Sequence, residues 1–260
     1  MCELWEHRSL ILKMARREVL GRYRGSVIGL AWSFLHPLLM LGVYTFVFGS
    51  VFHARWNGAE GTVDFALNLF AGLMVYGLFS ENVNRAPHLV LEHVNYVKKV
   101  VFPLQILPLP MLISSLFHAL VSLGMLLLFF MLAHGWPPCT VLWLPVVWLP
   151  LLLLILGCSW LLASLGVFLR DVGQVVGVAT TALMFLSPVF FPVSSLPAGV
   201  RRWMFLNPLA PVIEQTRAVV LHGHSPDWSL WGIEVLTGLA VAWLGYLWFC
   251  KTRGGFADVL

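Results

Sequence analysis

From Val100 to Leu169 the chain runs for 70 residues without an Asp, Glu, Lys or Arg. A helix crosses the hydrocarbon of a bilayer with about 20 residues. The run is therefore too long for one crossing, and it is interrupted once, at His134-Gly135-Trp136-Pro137-Pro138-Cys139-Thr140. It reads as a hairpin of two membrane helices whose charged flanks, Lys98-Lys99 and Arg170-Asp171, lie on one side. The composition agrees: 59% of the 260 residues are hydrophobic and 11% charged, where soluble domains carry about a quarter charged residues. One all-α integral membrane domain over residues 1–260 is the economical reading.

Charge-free windows predict six crossings, at 28–52, 64–81, 104–132, 141–169, 174–192 and 229–249. The second is the shortest, with sixteen uncharged residues between Asp64 and Glu81. An even number of crossings puts both termini on one side. With that side cytoplasmic, the inner segments hold twelve of the 16 basic residues, and the outer loops hold Arg55, Arg201, Arg202 and Arg217. This is the asymmetry of a positive-inside protein. Trp56, Trp136, Trp143, Trp203 and Trp228 fall near outer ends, where indole rings anchor in the headgroup zone. Cys2, Cys139, Cys158 and Cys250 form no CxxC pair, so neither a disulfide framework nor a metal site is signalled. The net charge of +4 sits beside apolar spans, which suits anionic lipid rather than nucleic acid.

Three segments do not span. Residues 4–25 place Trp5, Leu12, Val19 and Tyr23 at helical spacing with Lys13, Arg17 and Arg24 on another side, as in a helix lying in the membrane interface. Residues 188–226 are too apolar for a loop and too rich in proline for a span, and read as short re-entrant or interfacial helices packed on protein. Residues 85–101 form an amphipathic segment: Val90, Leu91, Val94, Val97 and Val101 share one face, with Glu92, Asn95, Tyr96 and Lys99 on the other. Such a segment is either a docking helix for a partner or an interfacial connector.

No residue cluster supports chemistry within this chain. It lacks a GxxxxGK[ST] phosphate loop and an HExxH or Asp-rich metal motif, and no carboxylate pair sits inside a span. The spans offer narrow polar and aromatic faces instead: Ser33, His36, Met40 and Tyr44 on the first, Gln174, Thr181, Phe185 and Pro188 on the fifth. These faces serve helix packing or, as a set, line a conduit whose aromatic rings and hydroxyls pass along a sugar chain.

Several stretches in register resemble the type-2 ABC exporter permeases for O-antigen, capsular and teichoic-acid polymers. They are Arg22-Tyr23-Arg24-Gly25-Ser26-Val27-Ile28-Gly29-Leu30-Ala31-Trp32 running into His36-Pro37, Val97-Lys98-Lys99-Val100-Val101-Phe102-Pro103 with Ile106-Leu107-Pro108, Ser187-Pro188, and Asn207-Pro208-Leu209. The resemblance implies a homodimer in the bacterial inner membrane, both termini cytoplasmic, bound to two copies of a separate ATPase subunit that holds the ATP and magnesium. It makes residues 4–25 an interface helix, 85–101 a coupling helix docking the ATPase through Glu92, Asn95, Tyr96, Lys98 and Lys99, and 188–226 a re-entrant outer element. The cargo it implies is a lipid-linked polysaccharide, with Arg22 and Arg24 either meeting the lipid pyrophosphate or setting topology. One departure stands out: Leu104-Gln105 follows the Phe-Pro where the family often has a charged residue. Other readings are a same-fold exporter of a small drug or lipid, a membrane enzyme acting on polyprenyl substrates, and a non-transporting scaffold.

Overall fold

Long runs of Leu, Val, Ala and Phe dictate helices, and helices are what form, with Pro37 and Pro150 accommodated inside two of them. The computed structural model describes residues 7–23, 26, 28–47, 61–98 and 102–260, with no strand among them. The α-helices are α1 (Arg8–Arg22), α2 (Trp32–Tyr44), α3 (Thr62–Arg85), α4 (Val94–Lys98), α5 (Pro108–His134), α6 (Leu144–Phe168), α7 (Val172–Leu186), α8 (Ala198–Trp203), α9 (Ala210–Val220), α10 (Trp228–Thr252) and α11 (Phe256–Val259). Four apolar stretches are long enough to cross a membrane: Val63–His88, Leu104–His134, Cys139–Phe168 and Trp228–Val259. Trp32–Val47 and Val172–Leu186 are apolar but shorter. The window expected to reach residue 192 stops at Leu186, because Pro188 lacks the amide hydrogen that another turn would use.

The centre of the fold is α3, which packs against α2, α5, α6, α7 and α9. Phe65, Leu69, Val75 and Leu78 bury into the main core, with Trp148, Leu151 and Ile155 of α6 and Val212 and Ile213 of α9. α6 and α10 form the closest helix pair. A Cβ on Gly245 would overlap the backbone of Gly157, and one on Gly157 would lie 2.5 Å from the Val241 carbonyl, so glycine permits this approach. A second cluster joins Met14, Leu89, Val90, Met111, Trp160, Phe249 and Phe256. Those residues come from α1, the turn after α3, α5, α6, α10 and α11, and they mark one end of the bundle, the basic end.

The three non-spanning segments take short helical forms. α1 buries Ile11, Met14 and Ala15 against α5, whereas Leu12 stays 61% exposed. The apolar stripe expected through Leu12 is therefore not the face that packs on protein. Trp5 and Arg24 lie outside the described residues. Residues 85–101 do not form one helix: α3 ends at Arg85, 3-10 turns follow at Ala86–His88 and Leu91–His93, and α4 spans five residues. Pro87 in the first of these turns explains the break. Within 188–226, α8 and α9 are short, and α9 packs on α3 and α6.

Candidate functional site: two cavities and two exposed helix faces

Two cavities meet at the basic end. The first, of about 500 Å³, is lined by Arg17, Glu18, Arg22, Glu81, Arg85 and His93, among others. The second, of about 470 Å³, lies between α2, α3 and α5 and is lined by Ser33, His36, Met40, Tyr44, Tyr76 and His118, among others. Arg22 and Glu81 border both. Arg22 Nη1 stands 2.5 Å from Glu81 Oε1. Arg85 bonds Glu18 Oε1 through Nη2 at 2.6 Å and approaches Glu81 Oε1 through Nη1 at 3.9 Å. Two arginines and two glutamates thus alternate, tying α1 to the end of α3.

Above this network the Tyr23 hydroxyl and His118 Nδ1 share a hydrogen bond of 3.2 Å. Burial pushes the Tyr23 phenol up, so it remains a neutral hydroxyl at physiological pH. Ser33 is 5% exposed and His36 open, and both reach the second cavity, as do Met40 and Tyr44. The polar face expected on the first apolar segment therefore gathers around one space.

The fifth-segment residues go elsewhere. The Tyr76 hydroxyl donates to the Thr180 carbonyl at 3.0 Å, and Thr180 Oγ1 donates to Asn84 Oδ1 at 2.9 Å. These bonds seat one face of α7 on α3. The opposite face is exposed and carries Gln174, Val178, Thr181 and Phe185. Phe185 stacks on Phe190 at 5.7 Å between centroids. α2 is similar in kind, with Phe34, Leu39, Val43 and Phe46 at least half exposed. Within a bilayer, apolar helix faces this open meet lipid or a second copy of the chain.

After α3, Glu92 in the second 3-10 turn and Asn95 in α4 are exposed. Tyr96 is half-buried instead, its ring stacked between His93 at 5.5 Å and Phe102 at 4.4 Å, with its hydroxyl accepting from Arg17 Nη2 at 3.4 Å. It braces α4 on α1 and is not displayed. Lys99 and the side chain of Lys98 lie outside the described residues. Gln105, at the position where the resemblance leads one to expect charge, turns inward: its side-chain carbonyl accepts from Arg253 Nη1 at 2.9 Å and its backbone carbonyl from Trp160 Nε1 at 2.9 Å. It joins the C-terminal segment to the entry of α5.

The far end of the bundle holds a site that charge counting misplaces. Arg217, expected in an outer loop, is 2% exposed on α9. Its Nε donates to the Asn68 carbonyl at 2.9 Å, Nη1 to the Pro188 carbonyl at 2.7 Å and to Glu214 Oε1 at 2.8 Å, and Nη2 to the Val189 carbonyl at 3.0 Å. Gly72 makes room: a Cβ there would sit 2.6 Å from Nη2. Nearby, Trp148 Nε1 donates to Thr216 Oγ1 at 3.1 Å and Thr140 Oγ1 to the Val219 carbonyl at 2.6 Å.

A helical bundle with this layout matches the profile of the ABC-2 type transporter over residues 9–221. The chain belongs to the ABC-2 type transporter family. It is 30% identical to the O-antigen export system permease protein RfbA of Myxococcus xanthus, over 98% of this chain and 97% of that one. It is 24% identical to the polysialic acid transport protein KpsM of Escherichia coli, over 80% of each chain. It is likewise 24% identical to the capsule polysaccharide export inner-membrane protein CtrC of Neisseria meningitidis serogroup B, over 82% of this chain and 81% of that one. For an ABC-2 transporter chain, the open faces of α2 and α7 and the exposed turn before α4 are the surfaces to explain.

Proposed function

We propose that the chain is the membrane-spanning permease subunit of an ATP-driven exporter that moves a lipid-linked polysaccharide, of O-antigen or capsule type, outward across the inner membrane. The observation that supports this reading is the alignment with an O-antigen export permease over 98% of this chain and 97% of that one. The open faces of α2 and α7 support it. Two copies of the chain facing one another through them would cover apolar surface and enclose a path lined by Gln174, Thr181 and Phe185, with Ser33, His36 and Tyr44 at its flank.

In this reading there are six crossings, the short α2 and α7 included, with both termini cytoplasmic and the basic end inward. The segment 188–226 is re-entrant from the outer side. Glu92, Asn95, Lys98 and Lys99 meet a separate ATPase subunit, two copies per dimer, which holds the ATP and magnesium. ATP-driven closure of that partner presses the turn before α4, and α1 and α3 carry the movement to the path. Arg22, at the inner mouth, and Arg24, two positions on in the sequence, attract the lipid pyrophosphate.

The test is genetic and biochemical. In a strain lacking the chain, surface polysaccharide should disappear while the lipid-linked polymer accumulates inside, and the purified chain should carry an ATPase subunit with it. Normal surface polymer, or resistance to a small toxic compound lost in its place, would overturn the polymer assignment.

A further inference from the structure

The two cavities at the basic end are separated by one ion pair. Arg22 and Glu81 line both spaces, and no other cation–carboxylate pair does so among the described residues. One space is walled by charged side chains and the other by hydroxyls, imidazoles and aromatic rings. Arg22 remains 47% exposed while bonded, so a soluble or membrane-borne anion can reach it.

We infer that the Arg22–Glu81 pair is a displaceable partition: the phosphate groups of an anionic lipid headgroup take Arg22 from Glu81, and the two cavities become one. The inference rests on the proposed export of a lipid-linked cargo and adds to it a competitor and a receiver. The competitor is Glu81, which neutralises Arg22 when no phosphate is present. The receiver is Arg85, whose Nη1 already stands 3.9 Å from Glu81 Oε1. A carboxylate stripped of its partner in a partly buried site costs several kcal/mol unless another cation takes it. Here Glu81 moves across to Arg85 and is not stranded. The incoming group gains two parallel bonds from a planar guanidinium, a geometry that phosphate oxygens match. Arg85 then divides its donors between Glu18 and Glu81, and α1 loses its direct tie to α3 through Arg22. A phosphate at this position thus loosens α1 and opens the cavity beside Ser33, His36 and Tyr44 in one exchange.

The experiment uses the complete transporter, permease and ATPase subunit together, in lipid nanodiscs. Binding of a short-chain polyprenyl diphosphate, of the matching polyprenol without phosphate, and of inorganic pyrophosphate is titrated. Glu81→Gln removes the competitor with little change of shape and should tighten diphosphate binding about fivefold. Arg22→Gln should weaken it about tenfold, with Arg22→Lys in between. The polyprenol should be indifferent to all three. Tightening confined to the lipid assigns the anion to the membrane; equal tightening for inorganic pyrophosphate supports the exchange and assigns a soluble anion.

The opening is read on protein unaltered at these residues. In a background without the native cysteines, Ser122→Cys on the wall of the second cavity should label faster with a water-soluble maleimide once polyprenyl diphosphate is added. Unchanged binding in Glu81→Gln, or unchanged labelling at position 122, overturns the partition. Loss of binding in Arg22→Gln alone would leave the pyrophosphate role of Arg22 standing, and insensitivity of both variants would remove that role as well.

Discussion

Asn207 Nδ2 donates to Ser187 Oγ at 2.8 Å, so two of the short motifs that looked separate in the sequence are the two sides of one joint. The same side chain is used at its other end, where Oδ1 accepts from the Leu209 amide at 3.0 Å and opens the turn into α9. Ser187 is fully buried and Asn207 nearly so. Replacing Asn207 by Leu leaves the buried Leu209 amide unsatisfied, at about 1–3 kcal/mol, while the Ser187 hydroxyl keeps its bond to the Leu183 carbonyl. Asn207→Leu should lower the detergent melting temperature by several degrees, and Asn207→Asp, which retains the acceptor but not the donor, should fall between it and wild type. A melting temperature unchanged in both would show that the joint is not structural.

Arg217 extends the joint inward. It binds the successive carbonyls of Pro188 and Val189 and reaches across to the Asn68 carbonyl of α3. Its carboxylate partner Glu214 is 41% exposed, so what removal of Arg217 strands is three buried carbonyls, at about 1–3 kcal/mol each. Arg217→Met should therefore unfold the α3–α9 contact and give the largest loss of thermal stability of any single outer-end change. Arg217→Lys keeps the charge but presents one point donor in place of a fork, so it should recover less than half of that loss. Full rescue by lysine would mean that charge alone, and not the fork, matters. Gly72→Ala should reproduce part of the defect, because its Cβ displaces Nη2.

How much of this was legible beforehand depends on the range of the interaction. The hairpin of α5 and α6, the break at His134–Thr140 and the short helices of 188–226 follow from local pattern, and they are where the pattern placed them. The second apolar segment reads as the shortest crossing because Asp64 and Glu81 border its uncharged residues. α3 runs past both, since each charge has a remote partner: His134 Nε2 stands 2.8 Å from Asp64 Oδ1, and Arg22 covers Glu81. No spacing rule reveals a pair 59 or 70 positions apart. The buried Arg217 and the inward Gln105 escaped for the same reason, as did the packing side of α1, where Ile11, Met14 and Ala15 were hidden between basic residues. Ile11, Met14 and Ala15 at i, i+3 and i+4 were the available signal.

The turn before α4 yields a prediction that separates docking from simple membrane contact. Glu92 and Asn95 are exposed one turn apart, and the basic pair Lys98-Lys99 follows in sequence. Reversing both charges, Lys98→Glu with Lys99→Glu, should cut cargo-stimulated ATPase activity of the assembled transporter several-fold while leaving insertion and dimer formation intact. Salt should weaken the wild-type coupling in the same direction, because exposed charge pairs are screened over about 10 Å at 0.1 M. Stimulation unchanged in the double variant would reduce this segment to a connector.

Tyr44 and Phe185 test the path itself. Tyr44 borders the cavity between α2, α3 and α5, whereas Phe185 stands 62% exposed on α7. Packing alone would make Phe185→Ala nearly silent, since a half-open ring contributes little to a core. If a sugar chain slides past these rings, losing either face removes about 0.5–1.5 kcal/mol of stacking, an export rate lower by about 2- to 12-fold. The control is Leu239→Ala on α10, whose side chain is 46% exposed on a helix that packs chiefly against α6. Polymer export in pulse-chase should slow for Tyr44→Ala and Phe185→Ala and hold for Leu239→Ala, with all three variants equally abundant in the membrane. Equal rates in the three would place the path on other side chains, because an aromatic wall that cargo touches cannot be interchangeable with a lipid-facing leucine.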